Sequence, residues 1–248
     1  METYSLTDIG IAREMNQDYF FTSEEPVGNL PNLFIVADGM GGHNAGEFAS
    51  RFTVETIVKT AAECKEQDTV SILRSAILSA NEALLLYAKE HEKMAGMGTT
   101  IVAAAANGAQ LYVANVGDSR LYVVGDEIRQ ITKDHSLVQE MVRMGELDEE
   151  KARSHPDKNI ITRAIGAEEE LKIDFFEVPL QPGDKVMMCT DGLTNMIEDT
   201  DMLSVLNEPG VSLDKKVESL VNTANKNGGK DNITVIVFQP NSDEVAEC

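Results

Sequence analysis

Short apolar runs recur along the whole chain. They lie at residues 33–37, 100–106, 111–116, 121–124, 186–190 and 233–237. Most of the runs end on Gly, Asp or Asn, and runs of this length between turn-forming residues are typical of buried β-strands. The pattern therefore predicts strands in every part of the chain.

Two segments show the spacing of amphipathic helices instead. Their apolar positions are Val70, Leu73, Ile77, Ala80, Leu84 and Ala88 in the first, and Leu213, Val217, Leu220, Val221 and Ala224 in the second. The pair Gly228-Gly229 after the second segment is a helix stop signal. Strands and helices do not alternate regularly, which favours an α+β fold with antiparallel sheets covered by helices.

Residues 134–163 form a polar segment with a helical pattern, in which Leu137, Met141 and Met144 share one face. Gly145 suits the end of one helix and Asp148 the start of the next. We interpret this segment as an insert beside the functional site.

Composition narrows the class of protein. The chain has 248 residues, of which 42% are apolar, and contains no internal repeat. This predicts a single domain over residues 1–240 and a short tail over residues 241–248. The net charge of −21 would repel phosphate backbones and anionic lipids, so nucleic acids and membrane surfaces are poor partners.

The sparse cysteines suggest a reducing environment. There are three cysteines and no Cys-x-x-Cys pair, and no apolar run approaches the roughly 18 residues of a membrane span. We expect a cytoplasmic protein with no membrane insertion. The absence of a long heptad pattern predicts a monomer.

Aspartates stand repeatedly where an apolar strand ends. Asp38-Gly39 follows the strand at 33–37, Asp191-Gly192 follows the strand at 186–190, Asp118 follows the strand at 111–116, and Asp231 precedes the strand at 233–237. Each Asp-Gly pair alone is an ordinary turn. Four aspartates on rigid strand ends are more than turns require, and their convergence would form one acidic site.

Convergent carboxylates need cations, because they cannot all stay ionised at close range without them. Oxygen ligands suit Mg²⁺ or Mn²⁺, and the chain's four histidines (His43, His91, His135 and His155) have no zinc-like spacing. Two such ions would acidify a bound water molecule and stabilise the charge on an attacked phosphoryl group.

A phosphoryl substrate also needs a cation that orients it. Arg13 is the best candidate, because a guanidinium binds two phosphate oxygens at once, although it could equally be a surface arginine. Asp18 could support the metal site or only end a turn.

The chain resembles the metal-dependent protein phosphatases of type 2C, and in particular the bacterial members that reverse serine/threonine kinase signalling. The resemblance covers nearly the whole sequence. It rests on Arg13-x-x-Asn16-x-Asp18, residues 36–43 (VADGMGGH), Gly98-Thr99-Thr100, residues 115–120 (NVGDSR), Asp134-His135-Ser136, residues 161–166 (ITRAIG), residues 190–193 (TDGL) and residues 229–234 (GKDNIT).

This resemblance implies a four-layer α-β-β-α sandwich, with two antiparallel sheets flanked by helices and the metal site at one edge. It implies an enzyme that hydrolyses phosphoserine and phosphothreonine in proteins, opposing a bacterial kinase. Arg13 would bind the phosphate, and Asp18 would act through a metal-held water molecule. Residues 145–159 would form a helical flap beside the cleft and influence substrate choice.

The resemblance also implies the metal ligands. Asp38 would bridge two ions, Asp191 and Asp231 would complete the shell of one ion, and the Gly39 carbonyl would bind the other. Asp118 and Asp191 would hold a third, weaker ion. All of these positions are filled in the sequence.

The chain differs from many members of the family at the position of the general acid. Many eukaryotic relatives carry a histidine directly after the first Asp-Gly and use it to protonate the leaving group, whereas this chain has Met40. His43 is one candidate for the role, and a water molecule on the third ion is the other.

Other phosphatase chemistries fail on single residues. A cysteine nucleophile needs arginine where Asn195 stands after Cys189, the haloacid-dehalogenase pattern needs aspartate where Leu193 stands, and the nucleotide-binding loop needs Ser or Thr after Lys230. Two rival functions remain. One is an inactive module that binds phosphoproteins, and the other is a phosphatase that acts on a partner-switching regulator.

Overall fold

The computed structural model describes residues 1–42, 44–152 and 155–240. The strands are β1 (Glu2–Asp8), β2 (Asp18–Ser23), β3 (Leu33–Met40), β4 (Gly98–Thr99), β5 (Ile101–Asn107), β6 (Gln110–Val116), β7 (Arg120–Val124), β8 (Ile128–Gln130), β9 (Asp174–Pro179), β10 (Lys185–Cys189) and β11 (Ile233–Gln239). The α-helices are α1 (Ala45–Glu63), α2 (Thr69–Glu90), α3 (Leu137–Arg143), α4 (Glu149–Ala152), α5 (Asp191–Thr194), α6 (Asp199–Leu206) and α7 (Leu213–Lys226), with a short 3-10 helix at Glu92–Met94.

The strands form two antiparallel sheets. The first sheet has the order β1-β11-β10-β7-β8, and the second has the order β2-β3-β5-β6-β9 with β4 added to β3. Strands that are distant in sequence therefore lie side by side, as β1 and β11 do over their full length. This pairing brings the two ends of the chain into one sheet.

Three apolar clusters define four layers. A central cluster fills the space between the sheets, where the rings of Phe34 and Phe238 stack with centroids 4.0 Å apart. A second cluster lies between the second sheet and helices α1 and α2, and a third lies between the first sheet and helices α5, α6 and α7. The expected α+β fold and α-β-β-α sandwich are confirmed.

Helix α2 is the one helix in the described part of the chain that is long and apolar enough, by length and composition, to cross a membrane. Its side chains Ile72, Leu73, Ile77 and Leu84 are fully buried in the cluster beneath the second sheet. Packing within the fold therefore accounts for its apolar character.

All six runs predicted as strands coincide with strands to within a few residues, but the pattern did not locate β1, β2, β4, β8 or β9. Apart from the two-residue β4, these are the edge strands of the two sheets. An edge strand has a neighbour on one side only and keeps polar side chains in contact with water, so it shows no continuous apolar run.

The insert contains the two helices expected there. Helix α3 ends at Arg143, and Gly145 follows with φ of +76°, a left-handed conformation that glycine adopts without strain. Helix α4 begins after Asp148, whose carbonyl accepts hydrogen bonds from the amides of Lys151 and Ala152. The predicted tail over residues 241–248 lies outside the described residues.

Candidate metal centre

The structure brings the five predicted aspartates to one site. Asp18 begins β2, Asp38 lies near the end of β3, Asp118 lies in the turn between β6 and β7, Asp191 begins α5 directly after β10, and Asp231 precedes β11. The two sheets both contribute to the site, since β2 and β3 belong to one sheet and β10 and β11 to the other.

The five carboxylates lie close enough to raise one another's pKa values. Burial raises the pKa of Asp38 well above its ordinary value, and the charges of the other carboxylates raise it further. These carboxylates belong to Asp18, Asp191, Asp118 and Asp231. Repulsion of this kind favours either protonation of the carboxylates or a bound cation.

Asp18 and Asp38 oppose each other directly in the pairing of β2 and β3. Like charges at such positions destabilise a sheet. The Asp18 Oδ2 accepts hydrogen bonds from the hydroxyls of Thr190 (2.9 Å) and Thr234 (2.7 Å), but its buried Oδ1 has no partner. Burial raises the pKa of Asp18 to about 7 despite those hydroxyl donors.

Asp191 and Asp118 form the other side of the site. Burial, followed by the charge of Asp231, raises the pKa of Asp191 to about 6, and burial, followed by the charge of Asp191, raises the pKa of Asp118 to about 8. The Asp191 Oδ2 accepts a hydrogen bond from Asn195 Nδ2 at 2.9 Å, whereas its buried Oδ1 has no partner. Each of Asp18 and Asp191 therefore presents one oxygen that protein donors leave unsatisfied.

The glycines after Asp38 and Asp191 are required by close packing. A Cβ atom at Gly39 would collide with the carbonyl oxygen of Gly46 in α1, and one at Gly192 would collide with the carbonyl oxygen of Asn232. Both Asp-Gly pairs thus let another segment of backbone approach the strand end. The Gly39 amide donates to the Gln17 carbonyl at 3.1 Å, and the ligand role of the Gly39 carbonyl stays a prediction.

Hydroxyl groups fix the backbone that carries two of the aspartates. The Asp38 amide donates to Thr100 Oγ1 at 2.9 Å, and that oxygen lies 2.7 Å from Ser119 Oγ. Ser119 directly follows Asp118. Because Thr100 and Ser119 are buried, their contact fixes the spacing between the end of β3 and the turn before β7.

Arg13 lies at the edge of the site, with half of its side chain exposed. Its Nη2 donates to Asp231 Oδ2 at 2.7 Å, and the other oxygen of Asp231 accepts from the Asn232 amide at 2.8 Å. The structure therefore places the predicted phosphate-binding residue directly against a predicted metal ligand.

Asn232 is a site residue to which the sequence analysis gave no role. Its side-chain oxygen accepts from the Gln17 amide at 2.8 Å, and its Nδ2 donates to the carbonyls of Ile9 and Met15, both at 2.9 Å. These bonds hold the loop that carries Arg13 against the start of β11. The available signal was the position of Asn232 between Asp231 and a buried strand.

The flap contacts the site through Lys158. Its Nζ donates to Asn195 Oδ1 at 2.8 Å, and Asn195 in turn binds Asp191. A cavity of about 380 Å³ lies between the flap and Asp118. A separate cavity of about 910 Å³ is lined by none of the five aspartates and lies where β7 ends and β10 begins. His43 lies outside the described residues, so its role stays a prediction.

The donor set fits Mg²⁺ or Mn²⁺. It consists of carboxylate oxygens, and the unpartnered oxygens of Asp18 and Asp191 are the atoms that a hard cation would satisfy. Within the described residues, no group of three or more His, Cys, Asp or Glu side chains is arranged so that it could hold a metal ion without further ligands. Magnesium-like ions keep several water ligands and take few ligands from protein, so an open site suits them.

Comparisons with known proteins identify the family of the chain. The family model described as Protein phosphatase 2C matches residues 11–236. The serine/threonine phosphatase Stp of Listeria welshimeri is 42% identical over 240 residues, covering 95% of this chain and 94% of that protein.

Solved structures show the same fold. The serine/threonine phosphatase of S. agalactiae is 41% identical, with a TM-score of 0.87 and coverage of 96% of this chain and 99% of that chain. The catalytic domain of the phosphatase PstP with two manganese ions is 30% identical, with a TM-score of 0.83 and coverage of 95% and 96%. The chain therefore belongs to the protein phosphatase 2C family.

Proposed function

We propose that this protein hydrolyses phosphoserine and phosphothreonine in other proteins, using Mn²⁺ or Mg²⁺ held by the strand-end aspartates. One observation carries the proposal. Asp18, which is buried, and Asp38, which is half-buried, face each other across a strand pair with raised pKa values, beside three further carboxylates. Such an arrangement is costly without a cation, and metal-dependent phosphatases are the family to which the chain belongs.

The aspartates divide the task of holding the ions. Asp38, Asp191, Asp231 and the Gly39 carbonyl would hold the two core ions. Asp118 and Asp191 would hold a third ion more weakly. When bound, the ions acidify water to a nucleophile and offset the charge of the phosphoryl oxygens.

The other residues of the chain orient the substrate and the ligands. The Arg13 guanidinium binds the phosphoryl oxygens, and Asn232 keeps the Arg13 loop in place. The Asp18 carboxylate is held by two threonine hydroxyls and orients water in the site. Asn195 orients Asp191 so that its unpartnered oxygen faces a ligand. His43 and a water molecule on the third ion are the two candidates for the proton donor to the leaving oxygen.

The proposal includes the cellular setting. A chain with a net charge of −21 suits a soluble partner in the cytoplasm better than a membrane or nucleic acid. Its substrates are the targets of a bacterial serine/threonine kinase, and the protein acts as a monomer.

The test is phosphate release from a phosphothreonine peptide. The protein is first chelated and then supplied with Mn²⁺, with Asp38→Asn treated identically and Asp126→Asn, an exposed aspartate away from the site, as the matched control. We expect Mn²⁺ to restore turnover in the original protein and the control, and not in Asp38→Asn. Phosphopeptide binding without turnover in the original protein would favour the inactive binding module instead.

A further inference from the structure

Two neighbouring cavities lie beside the end of β3. The first, of about 440 Å³, is lined in part by Met40, Ile161, Ala164, Ala167 and Leu171. The second, of about 580 Å³, shares Met40, Ala164 and Ala167 with it. Because three residues line both cavities, the two lie side by side on one surface. We call this surface the Met40 groove and define it by Met40, Ala164, Ala167, Leu171 and Leu85.

The groove lies beside the end of β3, the strand that carries Asp38. Met40 lies two residues after Asp38 in β3, so the two side chains project from the same face of the strand. Gly98, in β4, pairs with Met40 of β3. A Cβ atom at Gly98 would lie 2.9 Å from the Ile165 carbonyl oxygen and 3.6 Å from both the Met40 Cγ and the Ala164 Cβ. Glycine therefore lets the Ile165 backbone approach β4, and it leaves the space between Met40 and Ala164 open.

The walls of the groove are mainly apolar. The second cavity adds Leu85, Ala88 and Met97 to the shared residues. The charged groups at the first cavity are mixed in sign, with Arg163 and Lys172 against Glu168 and Glu170. The groove therefore has little preference for a positive or a negative side chain. Its apolar lining favours an apolar side chain instead.

We propose that the Met40 groove binds the polypeptide segment next to the phosphorylated residue of the substrate and selects an apolar side chain in that segment. This rests on the proposed function. A phosphoprotein whose phosphoryl group reaches Asp38 must run its main chain over the neighbouring surface. An extended chain advances about 3.3 Å per residue, so a side chain within about three positions of the phosphoresidue can reach Met40 and Ala164.

The test compares phosphothreonine peptides that differ only near the phosphoresidue, with Leu, Ala or Asp at each of the three flanking positions on either side. We expect one position at which Leu is preferred over Asp by about tenfold in kcat/KM, the scale expected for burying one aliphatic side chain. Equal kcat/KM for all the peptides would overturn the proposal.

A variant then tests whether the Met40 groove is the source of the preference for Leu. Ala167 is exposed and lines both cavities, so Ala167→Asp places a charge in the groove without disturbing the core. We expect this variant to lose the preference for Leu, mainly through a higher KM for the Leu peptide. Ser204→Asp, on the exposed side of α6, adds the same charge elsewhere and should keep the preference.

The outcomes separate the two proposals. If the unmodified protein with Mn²⁺ fails to hydrolyse even p-nitrophenyl phosphate, the proposed function is wrong. If it hydrolyses p-nitrophenyl phosphate and Ala167→Asp keeps the full preference for Leu, the groove assignment is wrong while the function stands.

Discussion

At the scale of single residues, Arg13 and Asp231 connect the predicted phosphate site with the predicted metal site. Their 2.7 Å ion pair is half exposed, so water screens it and it contributes little to folding. The pair instead places the guanidinium beside the carboxylates. A phosphoryl group bound there would lie within reach of both Arg13 and the cations.

Replacement of Arg13 should weaken substrate capture more than turnover. A bidentate guanidinium contact with phosphate is strong and directional, so Arg13→Ala should raise the KM for a phosphothreonine peptide by about 10-fold to 100-fold. Arg13→Lys keeps the positive charge but lacks the paired donors of the guanidinium. Its KM should therefore lie between that of the original protein and that of Arg13→Ala. Steady-state kinetics with saturating Mn²⁺ measures this, with Arg129→Ala as a surface control. An unchanged KM in Arg13→Ala would remove Arg13 from the site.

At the scale of elements, the start of β11 organises the site. Asn232 is nearly fully buried and binds three backbone groups of the loop between β1 and β2. Strands β1 and β11 are adjacent in the first sheet, although their residues are more than two hundred positions apart in sequence. The loop that carries Arg13 is therefore positioned by the opposite end of the chain.

Asn232→Ala should both destabilise the protein and weaken phosphate capture. Loss of three buried hydrogen bonds at about 0.5–1.5 kcal/mol each predicts a free energy of unfolding lower by about 2–4 kcal/mol. Asn227→Ala, whose side chain makes one exposed hydrogen bond, is the matched control and should cost far less. Urea unfolding monitored by circular dichroism gives both values. Equal stability of the two variants would show that Asn232 does not hold the loop.

The elements also show what the sequence could predict. The apolar runs identified the central strands because β3, β5, β10 and β11 are buried on both faces. The aspartates were found because they stand at the ends of those runs. Edge strands such as β2 left no such signal. The contacts that Asn232 and Thr100 make around the aspartates could not be predicted, since they depend on pairing between distant segments.

At the scale of the whole molecule, the site sets how stability depends on pH. Burial and mutual repulsion raise the pKa values of Asp191, Asp18 and Asp118 to about 6, 7 and 8. A carboxyl whose pKa is higher in the folded state than in the unfolded chain favours folding below its unfolded pKa. This contribution is lost as the pH rises through the folded pKa.

The chelated protein should therefore become less stable between pH 5 and pH 8.5. Each such carboxyl costs up to about 1.4 kcal/mol per pH unit while it ionises only in the unfolded chain. Added Mn²⁺ should restore stability, and more so at high pH, because ligands bind metal in the deprotonated form. Thermal melts over this pH range, with and without Mn²⁺, measure both effects. The Asp18→Asn variant should show a flatter profile when chelated, and a chelated protein equally stable at every pH would contradict the account.

The most direct test of the central claim is to count bound Mn²⁺ by isothermal titration calorimetry in the original protein and in Asp38→Asn. We expect the original protein to bind two Mn²⁺ ions tightly at the strand-end aspartates and a third ion more weakly. Asp38→Asn should lose the tight binding. Mn²⁺ binding by Asp38→Asn with unchanged stoichiometry and affinity would contradict it, because Asp38 would then not be the residue that bridges the ions.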